Sequence, residues 1–273
     1  MCAGHKFIFL CGLHRSGTSP LFRLLREHPD ISGFANTGVP EDEGQHLQTV
    51  FPPALAFGGP GRFGFAREAH LTEMSALITP DNREKLFREW ARYWDLGRCW
   101  LLEKSPPNLI RTRFLQAMFP NSYFIIITRH PVAVALATRK WADLSLSTLI
   151  EHWLQCHDLF ERDRQHLRNA LTLRYEDLIQ DTQSCLSRIY QLLGLALRDG
   201  QALNSKGNEH YFAAWKKLAE SRMQRRSYRR FIAEYENRVR HYGYSLRDCD
   251  HLQSPLPEPS ASMHIRNANT SGG

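Results

Sequence analysis

The stretch that decides the fold is KFIFLCGLHRSGTSPLFRLLREHPD, residues 6–30. It begins with a short apolar segment rich in aromatic and β-branched residues, which predicts a buried strand. Leucines then recur at helical spacing, with Thr18 or Ser19 as the expected N-cap and Pro20 in the first turn. The order strand, glycine-bracketed turn and helix directs backbone N–H groups and the positive helix end to one point, which is typical of an anion site.

The turn differs from a triphosphate-binding loop. Gly12 and Gly17 have the required spacing, but Thr18 stands where that motif has lysine. Because this lysine normally reaches the β- and γ-phosphates, the sequence does not favour a triphosphate with Mg²⁺. Arg15 is the cation that the turn provides. The glycine spacing alone would also fit an ordinary strand-to-helix turn, and the flanking strand and helix favour the anion site.

Strand and helix patterns alternate along the rest of the chain. The apolar segments at 98–105, 123–127 and 170–178 predict further strands, and amphipathic segments predict helices, including one over 80–95 capped by Asp81. The continuous apolar run YFIII is typical of a strand inside a parallel sheet. The pattern predicts a single α/β domain with a P-loop-like, doubly wound parallel sheet flanked by helices.

Two segments lack regular periodicity. Residues 32–65 are dense in glycine and proline, and a long irregular segment inside a domain is usually functional. Residues 251–273 are rich in Pro, Ser, Asn and Gly and are expected to form a disordered tail, with residues 1–250 as the domain.

The composition is that of a soluble globular protein, with 42% hydrophobic and 23% charged residues. No apolar run reaches the length of a membrane span, and the amino-terminal residues predict a first strand rather than a signal peptide. The cysteines include no C-x-x-C pair and the histidines no H-E-x-x-H pattern, which predicts no structural metal and no disulfide framework. We therefore expect reduced thiols and a cytoplasmic location.

The formal net charge of +7 is compatible with nucleic acid, a membrane surface or a small polyanion as the partner. Positive residues concentrate in residues 215–244. We interpret this region as a solvated helical face, with a phosphate-facing role for part of it left open.

Cations follow three of the predicted strands. Arg15 comes after the first, Lys104 lies at the end of the next, and Arg129 follows the strand at 123–127. Because the carboxyl ends of parallel strands meet at one edge of a sheet, these side chains are expected to converge on a polyanionic ligand. The strand before Arg129 lacks the aspartate that would hold Mg²⁺ in a triphosphatase.

Three motifs resemble those of the sulfotransferases that use 3′-phosphoadenosine 5′-phosphosulfate (PAPS). GLHRSGTSPLFRLLREHPD resembles their 5′-phosphosulfate loop, in the R-S-G-T form of tyrosylprotein and many bacterial members, and FPNSYFIIITRHPVAVALATRKW resembles their 3′-phosphate segment. LRYEDL resembles a further family element, and the resemblance runs from about Phe7 to Leu195. It implies in-line transfer of a sulfonyl group from PAPS to a hydroxyl or amine, with adenosine 3′,5′-bisphosphate (PAP) as product and no metal.

The resemblance also implies roles for individual residues. Arg15 and Lys104 would stabilise charge on the bridging oxygen, and Arg129 would hold the 3′-phosphate. The family serine that assists Arg129 is Ala137 here, so the adjacent Thr138 is expected to replace it, with Arg139 as a substitute. The remaining expected nucleotide contacts are Ser16, Gly17, Thr18, Ser19 and Tyr175; for Tyr175 a buried position supporting the sheet is an alternative.

The attacking acceptor must lose a proton, so a base is required. Family members of the tyrosylprotein type place a glutamate soon after the H-P-D helix, and Glu43 is expected to be that base here. Glu41, Asp42 and His46 are the alternatives, and any of the four could instead be a solvated loop charge.

The sequence leaves two other classes of function open: a P-loop kinase or NTPase, and a basic nucleic-acid-binding module. The partners expected are a small-molecule, glycan, lipid or peptide acceptor, and not nucleic acid. Residues 32–65 and the basic carboxyl-terminal region are expected to shape the acceptor pocket, and NEHYFAAW, residues 208–215, to close over the nucleotide or the acceptor.

Overall fold

Five parallel strands form the centre of the molecule. The structure is a computed structural model that describes residues 4–198, 202–203, 207–220, 225–250 and 252–253. The strands run in the spatial order β2-β3-β1-β4-β5. Their bounds are β1 Lys6–Cys11, β2 Ile31–Gly33, β3 Trp100–Lys104, β4 Ser122–Thr128 and β5 Ala170–Arg174. β1 lies in the middle of the sheet, with β2 and β3 on one side of it and β4 and β5 on the other. This is the doubly wound arrangement that was predicted, with β1 at the switch point.

Helices connect the strands. They are α1 Thr18–Arg26, α2 Pro80–Ala91, α3 Thr112–Met118, α4 Pro131–Thr138, α5 Leu146–Arg164, α6 Tyr175–Gln180, α7 Thr182–Leu193, α8 Glu209–Glu220 and α9 Arg225–His241. The irregular segment after β2 contains short 3₁₀ helices at Pro40–Asp42, Gly44–His46, Ala54–Phe57 and Phe63–Phe65. Two more 3₁₀ helices lie at Arg67–Ala69 and Pro106–Ile110.

The predicted element boundaries need several corrections. The N-cap of α1 is Gly17, with no side-chain cap, rather than Thr18 or Ser19, because the left-handed conformation at this position suits glycine. Thr79 caps α2 in place of Asp81, accepting a hydrogen bond from the Asn82 N–H at 3.1 Å. The strand predicted over 170–178 ends at Arg174, and α6 begins at Tyr175. The short edge strand β2 was not predicted.

Buried aromatic side chains anchor the loops at the carboxyl edge of the sheet. Trp90 is fully buried and its Nε1 donates to the Gly44 carbonyl at 2.9 Å. Trp153 is 1% exposed and its Nε1 donates to the Arg129 carbonyl at 3.1 Å. An indole N–H that is buried usually finds a partner, and here the partners are backbone atoms beside the carboxyl edge. The core therefore fixes the loops that carry the predicted site.

Of the basic carboxyl-terminal helices, α9 packs on α5, and α8 packs on α4 and α9. Arg238 of α9 lies 2.7 Å from Glu151 Oε2 and 3.3 Å from Asp158 Oδ2, both on α5. Trp215 of α8 donates to the Leu246 carbonyl at 2.8 Å. The tail predicted over 251–273 lies outside the described residues except for 252–253.

The cysteines differ in part from the expectation of reduced thiols. Cys11, Cys156, Cys185 and Cys249 are free and buried, whereas Cys99 is disulfide-bonded. In the described ranges, no group of three or more His, Cys, Asp or Glu side chains is placed to hold a metal ion. None of the helices described is both long and apolar enough to span a membrane.

Candidate active site

The turn between β1 and α1 forms a cradle. Gly12, Arg15 and Gly17 have φ values of 157°, 69° and 102°. A Cβ atom on Gly17 would lie 2.2 Å from Tyr175 Cδ2, so a side chain cannot fit there. Ser16 Oγ is buried and has no hydrogen-bond partner among the described residues. Because buried hydroxyls are normally satisfied, this atom fits a site that a ligand oxygen would complete.

A cleft of about 700 Å³ opens beside this cradle. Because α1 begins without a side-chain cap, its first N–H groups and the positive end of the helix dipole are free to interact with an anion. The predicted site residues that line the cleft are Arg15, Gly17, Thr18, Ser19, Glu43, Arg129 and Tyr175. The topology therefore brings together residues that are more than 150 positions apart in sequence.

Arg129 connects the end of β4 to the cradle. It is 7% exposed; its Nη1 donates to the Arg15 carbonyl at 2.9 Å and its Nε to Asn208 Oδ1 at 2.8 Å. Its guanidinium carbon lies 4.1 Å from the centroid of the Tyr175 ring. Burial lowers the pKa of Arg129, but a guanidinium stays charged at neutral pH. Arg129 therefore presents a fixed positive charge to the cleft.

A second layer of hydrogen bonds holds Arg129. Asn208, directly before α8, donates from Nδ2 to Glu176 Oε1 at 2.6 Å, and the same oxygen accepts from the His130 N–H at 2.9 Å. Burial raises the pKa of Glu176. Residues 208–215 were expected to close over the nucleotide or the acceptor, and the first of them, Asn208, contacts Arg129. The role of Glu176 was not predicted.

Tyr175 is 2% exposed and lies between Gly17 and the Arg129 guanidinium. It also lines the cleft. Both interpretations of this residue, a nucleotide contact and a buried support of the sheet, are compatible with that position.

Glu43, on the cleft wall, forms an ion pair with Lys104, which is fully buried behind it and does not itself line the cleft. Lys104 Nζ lies 3.4 Å from Glu43 Oε1 and donates to the Glu41 carbonyl at 2.8 Å. Gln45 Nε2 donates to the other Glu43 oxygen at 2.5 Å. Burial raises the pKa of Glu43, and Lys104 offsets part of this effect. A raised pKa makes a carboxylate a stronger proton acceptor.

The other candidate bases lie around Glu43. Glu41 is exposed and His46 half-buried; both line the cleft, and His46 Nε2 is 3.9 Å from Glu43 Oε2. Asp42 accepts from the Thr37 N–H at 2.8 Å and from Thr37 Oγ1 at 2.7 Å. Burial raises the pKa of Asp42, but the hydrogen bonds from Thr37 outweigh it and leave the pKa below its usual value. Of the four, Glu43 is the one that is both buried and on the cleft wall.

Glu103 organises the loop that carries Glu43. It is 1% exposed, and it accepts from Ser105 Oγ at 2.6 Å and from Asn108 Nδ2 at 2.5 Å. Ser105 Oγ in turn accepts from the Gln45 N–H at 2.9 Å. Burial raises the pKa of Glu103 to about 7. This carboxyl, which the sequence did not identify as functional, therefore links β3 to the 43–46 segment.

Thr138 lines a separate small cavity and not the main cleft. It is 3% exposed and lines a cavity of about 10 Å³ together with His14 and Gly61. Arg139, its proposed substitute, is the exposed C-cap of α4. Neither residue is among those described as lining the larger cleft, and the 3′-phosphate role of either one stays a prediction.

Trp141 and His14 are among the cleft residues that were not predicted. Trp141 is 60% exposed and its ring centroid lies 4.5 Å from the Arg15 guanidinium carbon. His14 Nδ1 is buried and has no partner within the described part of the chain. Burial lowers the pKa of His14 to about 3, and Lys104 and His46 contribute to that lowering, so the imidazole is neutral. His14 and Trp141 both lie in motifs quoted above, but the directions of their side chains depend on how the loops fold, so the sequence did not reveal them as cleft residues.

A model of the sulfotransferase family matches residues 8–199, from β1 through α7. Similar solved structures include a sulfotransferase from Alicyclobacillus acidocaldarius, with 16% identity over 87% of this chain and 97% of that chain and a TM-score of 0.48. A mouse sulfotransferase complexed with PAP has 16% identity over 87% and 86% of the chains and a TM-score of 0.46. Sulfotransferase STF1 from Mycobacterium tuberculosis H37Rv has 19% identity over 72% and 69%, with a TM-score of 0.44. No curated protein sequence matches the chain.

Proposed function

The chain belongs to the sulfotransferase family, and from this premise we propose that it transfers a sulfonyl group from PAPS to a hydroxyl or amine by in-line displacement. The observation that carries the choice of donor is that Arg15 and Arg129 line one cleft, while the buried, unpartnered Ser16 hydroxyl lies next to Arg15 in the adjoining turn. A donor with phosphate groups at both ends of its ribose can use all three.

The cradle would hold the phosphosulfate end of the donor. Ser16 has an unsatisfied hydroxyl there, and Gly17, Thr18 and Ser19 line the adjoining cleft at the amino end of α1. Arg129 would hold the 3′-phosphate, since it is fixed to the Arg15 carbonyl and cannot move away without breaking that hydrogen bond. Thr138 or Arg139 would assist it, and Tyr175 would contact the nucleotide.

The transfer step forms a bond between the acceptor oxygen and sulfur and breaks the bond between sulfur and the 5′-phosphate oxygen. Glu43 would take the acceptor proton, since it is a buried carboxylate at the cleft with a raised pKa. Arg15 and Lys104 would stabilise the negative charge on the departing phosphate oxygen. One such donor is worth about 3 kcal/mol in comparable oxyanion sites.

The structure gives no support to the alternative kinase or NTPase function. Thr18 begins α1 at the position where the triphosphate motif has lysine, and β4 ends at Thr128 followed by Arg129 rather than in an aspartate. A cytoplasmic location and the absence of a nucleic-acid partner are parts of the proposal, to be checked by cell fractionation and by a salt-titrated retention assay.

The proposed function is tested by incubating purified protein with labelled PAPS and a panel of hydroxyl and amine acceptors in EDTA. We expect labelled acceptor and PAP to form in equal amounts. The Arg15→Ala protein should form both products much more slowly than the wild type. No transfer from PAPS, together with ATP turnover in a parallel assay that contains Mg²⁺ and no EDTA, would contradict the proposal.

A further inference from the structure

The wall of the cleft includes large apolar side chains that are exposed to solvent. Three large hydrophobic side chains in the described part of the protein are more than half exposed: Leu55 at 73%, Trp141 at 60% and Met74 at 83%. Two of these, Leu55 and Trp141, line the cleft. Concentrated exposure of apolar side chains marks binding surfaces, whereas single scattered ones need no explanation.

Leu55 is held in its exposed position by ordered backbone. It belongs to the 3₁₀ helix Ala54–Phe57, whose first N–H donates to Gln45 Oε1 at 2.7 Å. The Gly59 N–H donates back to the Ala54 carbonyl at 2.9 Å and closes the turn. Gln45 also contacts Glu43, so the same side chain connects Leu55 to the proposed base.

Trp141 is fixed in a similar way. Its backbone N–H donates to the Thr138 carbonyl at 2.9 Å, and its ring stacks on Arg15. Leu55 and Trp141 therefore flank the cleft from two different segments, one beside the proposed base and one beside the proposed catalytic arginine.

The charges near the proposed base disfavour an anionic acceptor. Glu41 and Glu43 both line the cleft there. The nearest cation, Lys104, is paired with Glu43, and in the proposed transfer its charge serves the departing phosphate oxygen rather than the acceptor. Arg23 also lines the cleft. It lies one turn after Ser19 on the same face of α1, next to the turn that would bind the phosphosulfate. We therefore assign the positive charge of Arg23, like that of Arg15 and Arg129, to the nucleotide rather than to the acceptor.

We propose that the acceptor is a neutral hydroxyl compound with an apolar body, aryl or alkyl, that lies between Leu55 and Trp141. This inference depends on the proposed PAPS-dependent transfer. The acceptor oxygen bonds to sulfur, its proton passes to Glu43, and the products are a sulfate monoester of the apolar alcohol or phenol and PAP.

The test compares three neutral acceptors with PAPS as donor: 1-naphthol, 1-octanol and methyl glucoside. We expect kcat/KM for at least one of the two apolar acceptors to exceed that for the glucoside by about 100-fold, and their ratio tells whether the body is aryl or alkyl. Leu55→Ser should raise KM for the preferred acceptor about tenfold, as expected when burial of one leucine side chain is lost. PAP affinity should not change.

Met74→Ser is the matched control, because Met74 is more exposed than Leu55 and lies outside the cleft lining. Identical kinetics of the Leu55→Ser and Met74→Ser proteins would overturn the inference. The inference would also be overturned if the protein bound PAP but transferred the sulfonyl group to the glucoside alone, or to none of the three acceptors. Absence of PAP binding would instead overturn the proposed function itself.

Discussion

Replacing Glu103 by glutamine is expected to remove a large pH-dependent loss of stability. Burial raises the pKa of Glu103 from 4.5 to about 7. Because the folded protein holds this proton more tightly than the unfolded chain, the free energy of unfolding decreases as the pH rises from about 4.5 to about 7. A glutamine side chain at this position does not ionise, so that contribution disappears in the variant.

The magnitude follows from the two pKa values. A shift of one unit corresponds to roughly 1.4 kcal/mol, so linkage between pH 5 and pH 8 destabilises the wild type by about 2.5 kcal/mol relative to Glu103→Gln. For a domain of this size, each kcal/mol moves the melting temperature by roughly 2–4 °C. The melting-temperature difference between variant and wild type should therefore shift by about 5–10 °C in favour of the variant over this range.

Thermal unfolding followed by circular dichroism at half-unit pH steps measures this difference. Glu84→Gln is the matched control, since Glu84 lies exposed on α2 beside Arg88, and it should follow the wild-type profile. A difference between Glu103→Gln and wild type that stays constant from pH 5 to pH 8 would refute the reasoning about the buried carboxyl.

Three further predictions concern the proposed chemistry. Arg15→Ala should lower kcat at least about 100-fold with PAP still bound, though more weakly; unchanged turnover would exclude Arg15 from the mechanism. Arg129→Ala should mainly raise the dissociation constant of PAP, because it removes a fixed charge, and equal affinity by calorimetry would show that the 3′-phosphate lies elsewhere. Glu43→Gln should lower kcat strongly with normal PAP affinity and abolish the decline of kcat that the wild type shows as the pH falls and Glu43 becomes protonated. Near-normal rates would move the role of base to Glu41 or His46.

Local sequence patterns were sufficient for the central part of the fold. The apolar run of β1, the glycine-bracketed turn and the leucine spacing of α1 are contiguous, so their structure follows from short-range rules. The parallel topology then places the carboxyl ends of β1, β3 and β4 at one edge, which is why the sequence predicts Arg15, Lys104 and Arg129 at the same edge of the sheet.

The remainder depends on contacts between distant segments. β2 is only three residues long and gains its structure from pairing with β3, so no periodic pattern reveals it. The hydrogen bond between Arg129 and Asn208 joins residues 79 positions apart. The network from Glu103 to Gln45 and the stacking of Trp141 on Arg15 likewise arise only when the irregular segments fold over the sheet edge.

The most direct test of the account is calorimetric titration of the protein with PAP in buffer containing EDTA. We predict saturable one-to-one binding that needs no metal and weakens in the Arg129→Ala variant. No binding of PAP, together with tight binding of a magnesium–ATP complex in a second titration without EDTA, would contradict the central claim that this cleft is a metal-free site for a nucleotide with phosphates at both ends of its ribose.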